Sequence, residues 1–204
     1  MGSPPSAPQL PERLATLIAR IDCCNREDPN TEFVEGANRP RELVYAERLS
    51  AWVLRLDPQA SEALRIVARG QHICRWMIPR SRYEMNRQGY MRWRETLKAF
   101  HAQKVAELMR GVGNPDDMIE RVRVLIGKRQ LPHDRDTQTL EDALCLVFLE
   151  TQFADLRRKT PPDKMAEILR KTWAKMSERG RAAALTLPLS DEDRRFIEQA
   201  LLTN

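Results

Sequence analysis

The chain has 204 residues, of which 42% are apolar and 31% charged, and it carries a formal net charge of +5. That is enough apolar mass for one well-buried domain, and no apolar run approaches the roughly 20 residues of a bilayer-spanning helix, so a membrane-embedded role is excluded. The four cysteines (Cys23, Cys24, Cys74, Cys145) form no C-x-x-C pair and no secretory h-region opens the chain, so a reducing, cytoplasmic setting is expected.

Residues 1–9, "MGSPPSAPQ", hold three prolines without apolar periodicity and read as a disordered tail ahead of a single helical domain over 10–204. The apolar spacing then predicts helices over 10–23, 41–56, 59–78, 88–111, 115–129, 136–158, 162–178 and 190–202. No β-branched run alternates with a period of two, so no sheet is expected and the fold class is all-α. Pro40 and Pro115 suit first helical turns, and Pro58 and Pro79 close the segments before them. Residues 24–39 form the longest irregular stretch; within it Asn25, Asp28 and Asn30 are expected to cap helices or build tight turns. His133 falls in a connection and is expected to be exposed.

The charge is concentrated. Between Gln71 and Lys98 seven cations stand against two acids, a surplus equal to the net charge of the whole chain. This segment, "QHICRWMIPRSRYEMNRQGYMRWRETLK", interleaves arginine with Trp76, Tyr83, Tyr90 and Trp93. A concentrated basic patch attracts anions better than dispersed charge, and guanidinium matches phosphate through paired hydrogen bonds. Arg75, Arg80, Arg87 and Arg94, with Trp76 and Tyr83, are therefore the candidate substrate-binding residues. Lys171 and Lys175, one helical turn apart, would extend the same surface.

Helical spacing puts His101 on a stripe with Leu97, Val105 and Leu108, facing inward. His72, four residues after Ala68, falls on or beside the packed face of its own segment, so the two histidines can meet. In "LEDALCLVFLE" apolar residues surround the helix, and Glu141 and Asp142 emerge from an otherwise buried segment. Buried carboxylates call for a metal, a cation or strong hydrogen bonds.

The segments "ELVYAERLSAWV", "RGQHICRWMIPRSRY", "GYMRWRETLKAFHA", "QTLEDALCLVFLE" and "RKTWAKMSERG" resemble the family of domain of unknown function 4202 along nearly the whole chain after the tail. More loosely, two histidines and a late acid on successive helices are similar to the HD-domain metal-dependent phosphohydrolases. The sequence departs from them in reading His72-Ile73 where HD domains carry His-Asp. This second resemblance implies an HD-like helical arrangement and a divalent ion (Mn, Fe, Zn or Mg) held by His72, His101, Asp142 and Glu47. Glu141 and Lys128 are then the candidate catalytic groups. The expected function is metal-dependent hydrolysis of an anionic, phosphorylated small molecule or nucleotide. The alternative is an RNA- or nucleotide-binding protein that uses residues 75–94 without catalysis.

Overall fold

The computed structural model describes residues 11–128 and 134–202, and its fold is all-α. The proposed tail and His133 lie outside the described residues. Helix α1 (Glu12–Arg26) buries Leu14, Leu17 and Ile21, a three-and-four spacing that gives one apolar stripe. The stretch expected to be irregular contains an antiparallel hairpin, β1 (Thr31–Val34) and β2 (Ala37–Pro40), so the expectation of no sheet is corrected. Its connection, Glu35-Gly36, takes positive φ at both residues, the geometry that matches the twist of a two-residue hairpin. Four-residue strands are too short to show an alternation in sequence. Asp28 caps the next helix as expected, its Oδ2 accepting from Glu42 N at 3.0 Å while Oδ1 holds Asn30.

Helix α2 (Arg41–Leu56) has the predicted bounds. The helix expected over 59–78 is shorter: α3 (Glu62–Gly70) starts at a Ser61 cap and gives way to a turn. Within that turn Cys74 takes the left-handed conformation, φ 51°, and single 3-10 turns follow at Arg75–Met77 and Arg80–Arg82. Asn86 caps α4 (Arg87–Arg110), accepting from Gly89 N at 2.8 Å. Helix α5 (Asp116–Gly127) ends in a left-handed residue at Lys128. The segment predicted over 136–158 breaks at Gln152 into α6 (Arg135–Thr151) and α7 (Phe153–Lys159). The next, predicted over 162–178, becomes α8 (Pro162–Lys175) followed by α9 (Glu178–Leu185), and α10 (Asp191–Leu202) completes the described chain.

Helices α3 and α6 form the centre. Against α3 pack α1, α2 and α5; against α6 pack α2, α8 and α9; α4 lies on α5. Leu64, Ile66 and Val67 from α3, with Leu140, Leu146 and Val147 from α6, are fully buried, each contributing about 1.5–3 kcal/mol of transfer free energy. Arg121 on α5 bridges to Asp134 and Asp136 at the start of α6 and joins the two helices across their connection.

The last residue of α3 sets how closely α4 can approach: a Cβ on Gly70 would stand 2.5 Å from a methyl of Val105. Gly70→Ala is expected to cost about 1–3 kcal/mol in urea unfolding through overpacking. Gly70→Ala with Val105→Ala should lose less than the two single changes summed, because the second change removes the obstructing methyl. Strict additivity would contradict this contact.

Candidate functional site

On α4, Leu97, His101 and Val105 face inward, and His101 is 3% exposed. Its Nδ1 lies 2.8 Å from the carbonyl oxygen of Ile73, in the turn after α3. A carbonyl can only accept, so Nδ1 carries the hydrogen and Nε2, across the ring, holds a bare lone pair. Among the described residues Nε2 has no hydrogen-bond partner.

The same turn presents His72, whose ring centre is 6.0 Å from that of His101. Tyr45 of α2 stacks on His72, 4.0 Å between centroids and 12° from parallel. One helical turn earlier, Glu42 puts Oε2 3.3 Å from His72 Nδ1, while its Oε1 stands 4.0 Å from Arg75 Nε. The Arg75 guanidinium lies over the Trp93 ring at 4.7 Å, and Trp93 Nε1 donates to Ile78 O at 2.9 Å. The turn is thus held against α4 at His101 and Trp93.

Opposite stand α5 and α6. Glu141, 6% exposed, accepts from Lys128 Nζ at 2.7 Å, and Lys175 Nζ at the end of α8 lies 3.7 Å from its other oxygen. Between these walls is a cleft of about 350 Å³, within the range of small-molecule sites. Arg75, Arg94, Lys98, Lys128 and Lys175 line it against one carboxylate, Glu141, among the described residues. His72, His101 and the buried Gln71 line it too, and Gln71 Oε1 lacks a partner among the described residues. A second cleft, of about 680 Å³, lies on the Glu42 side and shares Tyr45, His72, Arg75 and Gln152 with the first.

Burial disfavours charge throughout this region. It pushes the His101 imidazole down to about 3, helped by His72 and opposed by the Ile73 hydrogen bond. Burial, then Arg75, also holds His72 well below its ordinary value, so both rings are neutral at pH 7. Burial raises the Glu42 carboxyl to about 7 against the pull of Arg75, so this group titrates beside a neutral imidazole. At Glu141 burial pushes upward, but Lys128 and Lys175 outweigh it and keep the carboxyl below its usual range.

Of the residues singled out in the sequence, His72, His101, Glu141, Lys128, Arg75 and Arg94 come together in the cleft, with Lys175 beside them. Others are held elsewhere. Arg80 donates to the carbonyls of Tyr83, Glu84 and Asn86 and shapes that loop; Arg87 is exposed at the start of α4. Trp76 packs on the core, and Tyr83 lies outside the cleft lining. Asp142 accepts from Ser177 N at 2.8 Å, from Ser177 Oγ and from Gln138 Nε2, which anchors the start of α9. Glu47 accepts two hydrogen bonds from Arg39, at 2.8 and 2.9 Å, and Arg69 Nη2 lies 3.7 Å from it. His72, His101, Asp142 and Glu47 therefore do not fit one ion, since both carboxylates are engaged away from the imidazoles. Among the described residues no three His, Cys, Asp or Glu side chains are grouped to hold a metal. Glu42, Tyr45 and Gln71 went unnoticed in the sequence: nothing local marks a first-turn glutamate as the partner of a histidine 30 positions later.

A family model described as "Domain of unknown function (DUF4202)" matches residues 15–197, a span that contains every cleft residue named above. No curated protein and no solved structure matches the chain.

The two titrating groups make opposite contributions to stability. His101 has a folded value near 3, below its ordinary 6.5, so its contribution is fully present above about pH 6.5 and is lost as pH falls toward 3. Glu42 has a folded value near 7, above its ordinary 4.5, so its contribution is present below pH 4.5 and is lost as pH rises through 7. In denaturation across pH 3–8, His101→Asn is expected to flatten the acid limb and Glu42→Gln to remove the loss between 4.5 and 7. Each slope is at most about 1.4 kcal/mol per pH unit. Unchanged profiles in both variants would contradict these environments. Asp142→Ala should cost about 1–3 kcal/mol by orphaning the half-buried Ser177 donors, and leave anion binding in the cleft unaltered.

Proposed function

Starting from a chain that belongs to the DUF4202 family, whose description assigns no activity, we propose that it hydrolyses phosphorylated small molecules, nucleotides among them, in the cleft between α4 and α6. One observation carries this reading: five cations and two neutral imidazoles converge on a single cleft of about 350 Å³. The planar forks of Arg75 and Arg94 take the phosphoryl oxygens in pairs, and Lys98, Lys128 and Lys175 neutralise the remaining charge. Glu141 acts as a positioning residue, holding the ammonium groups of Lys128 and Lys175 at the cleft wall.

His72 is the base. With Nδ1 turned to Glu42, Nε2 is the lone pair that takes a proton from an attacking water, and Glu42 stabilises the imidazolium that forms. The water oxygen bonds to phosphorus, the ester P–O bond breaks, and the leaving oxygen takes a proton from Lys128.

Pyrophosphate should raise the melting temperature above that in chloride of equal ionic strength, and Arg75→Ala with Arg94→Ala should abolish the effect. Phosphate release from p-nitrophenyl phosphate and nucleoside monophosphates should fall about 10²–10⁴-fold in His72→Gln with binding little changed. Absence of both protection and turnover sinks the reading. A second reading, RNA bound without catalysis, draws on the exposed Arg82 and Arg87 beside exposed Tyr90 and Met91. Salt-sensitive gel shifts lost in Arg82→Ala and Arg87→Ala, without pyrophosphate protection, would favour it.

A further inference from the structure

Two buried acceptors on residues that line the cleft take no step in that hydrolysis. His101 Nε2 is a lone pair, because Nδ1–H is committed to Ile73 O, and Gln71 Oε1 is a second. Both residues are more than nine-tenths buried, line the cleft and find no partner for these atoms among the described residues. An unmatched buried acceptor costs about 1–3 kcal/mol, and a site built around such atoms discriminates strongly for a ligand that supplies the missing donors.

The donors must be uncharged. Arg75, Arg94, Lys98, Lys128 and Lys175 line the same cleft, so an ammonium group would meet like charge there. Bare phosphate has no group suited to these acceptors once the arginines and lysines hold its oxygens. Adjacent hydroxyls on one carbon skeleton supply two neutral donors a short distance apart. The faces of Tyr90 and Trp93, also in the lining, suit the C–H surface of such a skeleton.

Resting on the phosphate reading above, we infer that the ligand is a phosphorylated polyol of the ribose type, whose hydroxyls donate to His101 Nε2 and Gln71 Oε1 while its phosphoryl group meets the cations. Free sugar phosphates and nucleotides share this chemistry.

Titration calorimetry on the full chain carrying His72→Gln, which binds without turnover, with inorganic phosphate, ribose 5-phosphate, 2-deoxyribose 5-phosphate and AMP tests it. Ribose 5-phosphate should bind at least about tenfold tighter than inorganic phosphate, with 2-deoxyribose 5-phosphate between them. His101→Asn keeps an N–H for Ile73 O but removes the acceptor at the Nε2 position. Gln71→Met removes a buried unsatisfied amide and retains volume, so it should fold at least as well as the parent. In either variant the advantage of ribose 5-phosphate should shrink to near parity, with inorganic phosphate affinity unchanged. AMP binding tighter than ribose 5-phosphate assigns the source as a nucleotide; weaker binding assigns it as a free sugar phosphate. If inorganic phosphate binds and ribose 5-phosphate binds no better, or if its advantage survives both variants, the polyol inference falls and the phosphate site stands. If none of the probes binds, the phosphate site falls and the inference with it.

Discussion

The hydrogen bond from His101 Nδ1 to Ile73 O is the constraint on which the site depends. It crosses 28 residues of sequence and ties α4 to the turn left when α3 stops at Gly70. A neutral bond of this kind contributes only about 0.5–1.5 kcal/mol net. Its consequences are larger than that figure. It fixes one tautomer, directs a lone pair away from Ile73, and holds the turn so that His72 stacks on Tyr45 with its ring centre 6.0 Å from that of His101. Glu42 then reaches both His72 Nδ1, at 3.3 Å, and Arg75 Nε, at 4.0 Å.

Glu141 and Asp142 show how one buried helix serves two purposes. Successive residues on a helix point about 100° apart. In α6, which is packed on most of its circumference, that angle sends neighbouring carboxylates into different surroundings. Asp142 turns to Ser177 and fixes the start of α9; Glu141 turns to Lys128 and Lys175 at the cleft. Both are compensated, as buried charge requires, one by neutral donors and the other by ammonium groups. The cleft charge follows from the same economy of partners: Glu141 is shared by two lysines, and Arg75 has Glu42 only at 4.0 Å, which leaves positive potential facing the opening.

The sequence made the helices legible where apolar spacing was long and regular, as in α2 and α4, and failed where local backbone chemistry overrode that spacing. The third helix stops at Gly70 and the chain turns on through Cys74 in a left-handed conformation that a cysteine does not advertise, and Glu35-Gly36 closes a hairpin whose strands are four residues each. In the site, inward periodicity located His101, and the arginine cluster located Arg75 and Arg94. Spacing could not assign carboxylates to partners. Glu47 and Glu42 both lie on α2, and only tertiary packing gives the first to Arg39 and the second to His72. Gln71 was equally silent, because an amide acquires meaning only once it is buried without a partner.

Nitrogen NMR of protein labelled in its histidines tests the central claim most directly, because it reads protonation at each ring nitrogen of His101. A protonated Nδ1 and a bare Nε2 are expected to persist from neutral pH to about pH 4, with the Nε2 resonance moving when ribose 5-phosphate is added. A proton on Nε2, or a His101 that titrates near its ordinary value of 6.5, would contradict it.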